Sequence, residues 1–330
     1  MITFLMIGVK MINQKENLST TQPLNHSTLT NPKVSVIMNC LNGEKYLKEA
    51  IDSVYAQTYK NWEIIFWDNA STDRSAEIAI SYDARLKYFK GDATIPLGAA
   101  RNKALEQTKG KFVAFLDCDD LWMPEKLEKQ VYILEHSTYP LCYSGGFRIN
   151  EAGGIIKKYI PKNKTGSVLP ELLRKYDINM QSVMMRRRID GIDVSFDEDF
   201  SFCPDFHLFI KIAALYDIAV INEPLVNYRV SVNSLTSKTI DRWWIEYKQP
   251  LDEIFSDNPV LKTTYPKEYA YAYAKVAYYK SRYLIHVNRK MEASRELRQH
   301  SHVGIQYFLF YLLSLFPVSI WHLVHRLFKK

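Results

Sequence analysis

The chain of 330 residues predicts an α/β fold, a mostly parallel central sheet with flanking helices, continued by a C-terminal helical extension. Two observations carry that expectation. Between Lys33 and Leu116, short apolar runs alternate with helix-length segments, the pattern of parallel strands joined by crossover helices. Beyond residue 240 the strand pattern stops, and Tyr269 to Asn288 spreads Ala, Tyr and Lys along a helical register.

Taken in order, Val34-Ser35-Val36-Ile37-Met38 reads as a buried strand, and Asn42-Gly43 as a turn. Tyr46 to Gln57 has helical spacing, with Leu47, Ile51 and Val54 on one face. Trp62 to Trp67 is a second strand, ending in the polar loop Asp68-Asn69-Ala70-Ser71-Thr72-Asp73, where Asp73 suits a cap for a helix starting near Arg74. Leu86 to Phe89 is a short third strand. Gly98 to Lys109 is a helix stopped by Gly110, and Phe112 to Leu116 a fourth strand. Further on, the pattern is less regular. It predicts a helix over Pro124 to Glu135, a strand over Leu141 to Ile149 and a hairpin turn at Gly153-Gly154. A short helix over 166–176, a strand over Ser182 to Arg187, a helix over Asp205 to Ala214 and strand residues over 219–230 follow. Ligands in such sheets bind at the carboxyl ends of the strands. Residues 39–42, 68–73 and 117–120 all fall at that edge.

The composition excludes several classes. Apolar residues make up 47% and charged residues 24%, so the chain has material for a core and is not disordered. A net charge of +7 suits an anionic ligand or membrane face but is too weak to imply nucleic acid. The four cysteines, Cys40, Cys118, Cys142 and Cys203, lie far apart without a CxxC pair, which argues against structural zinc and for a reducing cytoplasm. The apolar stretch Ile2 to Met11 is short and broken by Lys10, a poor signal peptide; residues 12–31 are polar, and folded structure is expected to begin near Lys33.

Asp117-Cys118-Asp119-Asp120 closes the fourth strand. Three carboxylates beside a buried strand are costly unless positive charge meets them. They form either a helix N-cap cluster or a seat for a divalent cation that bridges a diphosphate.

Several ordered segments together resemble family 2 glycosyltransferases of the GT-A fold, over about residues 33–230. Val34 to Ile37 with Asn42 is similar to the family's opening strand and loop. Asp68 to Asp73 is similar to its "DDGSTD" segment, Gly98-Ala99-Ala100-Arg101-Asn102 to its "ARN" helix start, and Phe115 to Asp120 to the "FLDxDD" segment that carries the DxD motif. The resemblance implies an inverting enzyme with a nucleotide-sugar donor, a UDP-sugar first, and Mg²⁺ or Mn²⁺ as cofactor. It implies Asp119 and Asp117 on the metal, Asp117 also near the ribose, and Asp120 in support or capping the next helix. Asp68 would meet the base, Arg101 the base or phosphates, and Asn39 and Leu41 would line the nucleotide pocket. Leu41 stands where the family has a stacking aromatic. Asp205, in Phe202-Cys203-Pro204-Asp205, matches the Asp of the family's "ED" base, with Pro204 in place of Glu and Lys211 in place of Arg. His207 points away from Asp205 on that helix. One of Arg186, Arg187 and Arg188 would face the acceptor, a saccharide or lipid-linked saccharide of surface-polysaccharide synthesis. The rival readings are a nucleotide-binding module without turnover and the same fold with a dTDP- or GDP-sugar.

Residues 1–32 are thus expected to be a poorly ordered segment before a catalytic domain at 33–240, and 241–330 to form the helical extension. From Gly304 to Trp321 no residue is charged. That run is either a helical hairpin packed on the domain and split at Pro317, or a membrane-associated segment over 304–324. Tyr307, Trp321 and the basic tail suit an interfacial position at the inner face of the cytoplasmic membrane, shallow rather than spanning.

Overall fold

The computed structural model describes residues 32–230 and 243–327. The first half builds β1 (Val34–Cys40), α1 (Glu44–Tyr55), β2 (Trp62–Asp68), α2 (Ser75–Ile80), β3 (Leu86–Lys90), α3 (Leu97–Glu106), β4 (Phe112–Phe115), β5 (Leu121–Trp122) and α4 (Lys126–Glu135). Then come β6 (Leu141–Ile149), β7 (Ile155–Tyr159), α5 (Leu169–Arg174), a one-turn helix at Met180–Ser182, β8 (Met184–Arg186), β9 (Arg188–Ile189) and β10 (Ile192–Asp193). The core ends with α6 (Pro204–Leu215) and β11 (Ala219–Arg229).

Nine strands form one sheet in the order β3-β2-β1-β4-β8-β6-β11-β5, with β7 on β6. The strands β3, β2, β1, β4, β6 and β11 run one way. The short β8, β5 and β7 run against them, so the sheet is mixed but mostly parallel. Val34, Val36 and Met38 face one side of β1 and pack with Leu47, Ile51 and Val54 of α1; Ile37 faces a second core shared with α3 and α6. The alternation of faces along β1 is the pleat, and burial on both sides explains why the strand reads as unbroken apolar sequence. The insertion of β8 between β4 and β6 has no signal in local sequence, because it depends on pairing Phe112 with Arg186.

That antiparallel pairing overturns one expectation. Arg186 lies opposite Phe112, at the amino end of β4, whereas Asp117 follows the carboxyl end. None of the three arginines faces the loops at that edge. Arg186 instead donates to the carbonyls of Leu134, Ser137 and Tyr139, Arg187 donates to Thr108 Oγ1, and Arg188 pairs with Asp193. These bonds tie down the ends of α4 and α3 and the β9–β10 pair.

The extension holds α7 (Trp243–Asp257), α8 (Val260–Thr264), α9 (Pro266–His286), α10 (Lys290–His300), α11 (Ile305–Leu315) and α12 (Val318–Leu327). The break between α11 and α12 falls at Phe316-Pro317, where proline ends a helix. Trp321 and Tyr307, read above as interfacial anchors, are buried instead. Trp321 joins Leu284, Ile285, Ala293 and Leu297, and Tyr307 stacks edge-on against Tyr271. The large Trp321 ring fills the groove between α9 and α10 better than a smaller side chain would. Among the described residues no helix is long and apolar enough to cross a membrane.

Candidate active site

At the carboxyl edge, the loops after β1 and β2 are laced together. Asn42 takes a left-handed φ of 55°, its N–H donates to Ser71 Oγ (3.0 Å), and its Oδ1 accepts from the Thr72 N–H (2.8 Å). Asp73 is a cap for two helix starts: it accepts from the N–H groups of Glu44 (2.9 Å) and Ser75 (3.0 Å). Gly43 lies so close to the strand ends that a Cβ there would stand 2.9 Å from Cys40 Sγ and 3.0 Å from Cys118 Cβ.

Asp68 ends β2 fully buried, with Oδ1 accepting from the Ser71 N–H (2.7 Å) and Oδ2 from the Tyr88 hydroxyl (2.7 Å). Asn39 donates through Nδ2 to the Ala100 carbonyl (2.9 Å) and so ties β1 to the start of α3. Leu41 is exposed at the loop tip. Arg101, one turn into α3, is buried; its guanidinium carbon lies 5.4 Å from the Phe196 ring, and Nη1 has no hydrogen-bond partner among the described residues. The start of α3 fits under the 197–200 loop only because Gly98 has no side chain: a Cβ would stand 2.0 Å from the Asp197 carbonyl oxygen.

After β4, the three carboxylates diverge. Asp117 is half-exposed; its Oδ2 accepts from Gln181 Nε2 (2.6 Å), and its Oδ1 stands 3.8 Å from Arg101 Nη2. Burial, then the neighbouring Asp117 charge, pushes the Asp119 carboxyl up to about 6, against the pull of Arg229. Asp120 is fully buried and caps no helix: its Oδ1 accepts from the Arg229 N–H (2.6 Å) at the end of β11. Burial first, and then the Asp119 and Asp117 charges, push its carboxyl well up.

Asp205 is the second residue of α6. Burial pushes its carboxyl above the ordinary range; the Arg101 guanidinium and helix-start N–H groups pull it back, and the Asp117 charge adds to the push. Asp205, Arg101 and Asp117 therefore share one electrostatic field, although they come from three separate elements. The approach to α6 is held by Glu246 of α7, which accepts from the N–H groups of Ser201 (3.1 Å), Phe202 (2.9 Å) and Cys203 (3.1 Å). His207 and Lys211 both turn to Glu253 of α7, at 3.0 and 2.7 Å.

Three residues that sequence reading missed brace the candidate site. Gln181 holds Asp117, Glu246 holds the start of α6, and Arg229 joins four segments. Arg229 donates to the carbonyls of Asp119 (2.8 Å) and Glu151 (2.9 Å), pairs with Glu49 (2.9 Å), and lies over the Tyr46 ring (4.1 Å). Each acts across a long chain separation, so no local spacing points to it.

The donor set also bears on a metal. Among the described residues no three His, Cys, Asp or Glu side chains gather into a cage. Asp117 and Asp119 form a two-carboxylate set with a raised carboxyl. That suits a hard cation that takes one or two carboxylates from the protein and its other oxygens from a diphosphate and water.

Residues 35–193 match the family model Glycosyl transferase family 2. Over 241 residues the chain is 30% identical to the Escherichia coli UDP-Glc:alpha-D-GlcNAc-diphosphoundecaprenol beta-1,3-glucosyltransferase WfgD, covering 72% of this chain and 91% of that protein. It is 34% identical to the uncharacterized glycosyltransferase MJ1057 of Methanocaldococcus jannaschii over 206 residues, 60% of this chain and 71% of that one. The chain belongs to glycosyl transferase family 2. It is a glycosyltransferase, and its fold is GT-A-like. Staphylococcus aureus TarS 1-349, solved in complex with UDP, superposes on the transferase with a TM-score of 0.58 at 21% identity, over 73% of this chain and 70% of that one. The mannosyltransferase PcManGT of Pyrobaculum calidifontis, solved with GDP-Man and Mn²⁺, gives 0.56 at 18% identity, over 89% of this chain and 84% of that one. At such identities the likeness concerns the fold alone.

Proposed function

We propose that the transferase is inverting and metal-assisted, and moves a hexosyl or N-acetylhexosaminyl group from a UDP-sugar to a saccharide or lipid-linked saccharide acceptor in surface-polysaccharide synthesis. The observation that carries this reading is the grouping of Asp205, Arg101 and Asp117 in one field beside Asp119. Asp205, with its raised carboxyl, takes the acceptor hydroxyl proton, since a base works best with a pKa lifted toward the working pH. Asp117 and Asp119 hold Mg²⁺ or Mn²⁺, which stabilises the leaving diphosphate as a Lewis acid. Arg101, with Nη1 unpartnered, suits a phosphate oxygen. Asn39, Leu41 and Asp68 border the base; Leu41 offers an exposed apolar face, and each Asp68 oxygen keeps a second lone pair for a base N–H.

In this reading residues 33–240 carry the donor site, while 241–330 brace α6 and present helices 304–324 to the cytoplasmic face of the membrane. Ile305, Phe308, Leu309, Leu312, Leu315 and Phe316 are all exposed, an unusually large apolar set for one short helix and its end. From Leu297 to Lys330 the sequence has no Asp or Glu, which favours an anionic lipid surface as the partner of that face.

The name of the Escherichia coli relative favours a UDP donor; GDP and dTDP are the competing bases. Thermal unfolding with UDP, GDP and dTDP, each with and without Mn²⁺, decides among them, because a ligand that binds only the native state raises its stability. The expected result is an upward shift with UDP that requires Mn²⁺. A shift with GDP or dTDP alone reassigns the base, and no shift with any nucleotide overturns the proposal. Turnover separates an enzyme from a binding module: UDP release from a UDP-sugar, abolished in Asp205→Asn with Mn²⁺-dependent UDP binding retained, is the enzyme's result.

A further inference from the structure

We propose that Lys126, a buried lysine with no carboxylate partner among the described residues, is a positioning residue for the donor site: it acts through the 179–183 turn and Gln181 to set Asp117. Lys126 is the first residue of α4 and has no exposed surface. Burying an ammonium this way is costly, and an apolar side chain of similar length would fill the space at less cost. Its surroundings explain what the charge does.

Lys126 Nζ donates to Gln130 Oε1 (2.6 Å), stands 3.4 Å from the Val183 carbonyl, and lies 4.0 Å from the centre of the Trp122 ring. An ammonium has donors only and a carbonyl accepts only. Gln130 bridges the two, so its amide has one permitted orientation: oxygen toward Lys126, Nε2 toward the Ser182 carbonyl, at 2.7 Å. The Trp122 ring, facing the cation, sends its Nε1–H to the Gln181 carbonyl at 3.0 Å. One charge thus orients the donors that hold three successive carbonyls, those of Gln181, Ser182 and Val183. With its backbone pinned from behind, the turn directs Gln181 Nε2 to Asp117 Oδ2 at 2.6 Å. That leaves Asp117 Oδ1 toward Arg101 and the site. A methionine at 126 would preserve packing but leave the Gln130 amide free to flip and the indole free to tilt.

The inference rests on the reading of Asp117 as part of a cation–diphosphate site. Its test uses the full chain, Mn²⁺ and UDP, with Lys126→Met, Gln181→Ala and the double variant. Free Mn²⁺ is read by electron paramagnetic resonance in the presence of UDP, and folding by thermal unfolding. Lys126→Met is expected to weaken Mn²⁺ binding about tenfold without a lower unfolding temperature, and the double variant to bind no more weakly than Gln181→Ala alone. Losses that multiply in the double variant, or Mn²⁺ binding by Lys126→Met within twofold of the native protein, overturn it. Gln130→Glu keeps the lysine and gives it a counter-charge, so it folds whether or not Lys126→Met does; it removes only the donor to Ser182. It is expected to weaken Mn²⁺ binding at least threefold, and unchanged binding overturns the proposal. Native protein that fails to bind Mn²⁺ with UDP overturns the underlying donor-site reading as well, whereas native binding with indifferent variants removes the positioning role alone.

Discussion

Asp205 is partly buried and Lys126 fully buried, and they bear on different measurements. Asp205 is shifted upward by burial while the Arg101 guanidinium pulls it back, and a raised carboxylate is the stronger base. Asp205→Asn keeps the shape and removes the base, so kcat should fall by about 10²–10⁴-fold with the donor KM little changed, as measured by steady-state UDP release. Lys126, beside its positioning role, also bears on stability. Burial lowers it to about 7, the nearby Cys142 thiol opposing, while an unfolded chain holds its lysine near pH 10.4. Between those values the unfolded state binds a proton that the native state does not, so stability rises with pH across that window. Lys126→Met has no such proton. Its stability advantage over the native protein should therefore be largest at or below about pH 7, on the order of a few kcal/mol, and shrink toward pH 10. Urea denaturation at a series of pH values checks the sign. At this scale the sequence singled out Asp117, Asp119 and Asp205 as candidates because each lies in a short segment with its own pattern. Gln181 and Arg229 were not, since they reach Asp117 and Asp119 across 64 and 110 residues.

Among the elements, α6 owes its placement to α7. The Glu246 carboxylate takes three successive N–H groups just before Pro204, those of Ser201, Phe202 and the N-cap residue Cys203, and so fixes how the chain enters the helix. Glu253, two turns further along α7, binds His207 and Lys211 on the same helix. Glu246→Gln would turn an amide N–H₂ toward one of those donors. It should cost about 1–3 kcal/mol in a denaturant titration and lower kcat more than it raises the donor KM, because Asp205 follows directly. The strand–helix alternation was readable because β1, β2 and β4 are buried on both faces, while β3 is short and only partly buried. The sequence around Phe202-Cys203-Pro204-Asp205 marked a helix start, but the carboxylate that satisfies it comes from the extension. The one-turn helix Met180–Ser182 left no pattern either, being too short for any periodicity.

Across the whole molecule, the extension both braces the site and leaves α11 with an apolar face toward solvent. Each exposed leucine or phenylalanine gains about 1.5–3 kcal/mol when fully buried, so a few inserted side chains suffice for reversible binding to lipid. Native protein should float with vesicles containing phosphatidylglycerol, less so in high salt or with phosphatidylcholine alone. Leu309→Glu/Leu312→Glu should lose at least tenfold in partitioning while keeping UDP release on a water-soluble acceptor. A native protein that stays off anionic vesicles and dimerises in light scattering would assign the face to a second copy instead. The uncharged run 304–321 announced an apolar segment but not which side of it was taken: Trp321 turned inward between α9 and α10, and Tyr307 packed against Tyr271 of α9. By itself, the sequence determined the family, the alternation that makes the sheet, and the acidic loops at its carboxyl edge, because strand periodicity and loop chemistry are properties of neighbouring residues. Only the tertiary structure decided that Arg101 is buried between Asp117 and Asp205, that Arg186 lies at the opposite edge, and that Gln181, Glu246 and Arg229 hold the acidic loops and helix starts in place, because those contacts join residues whose separation in sequence carries no local signal.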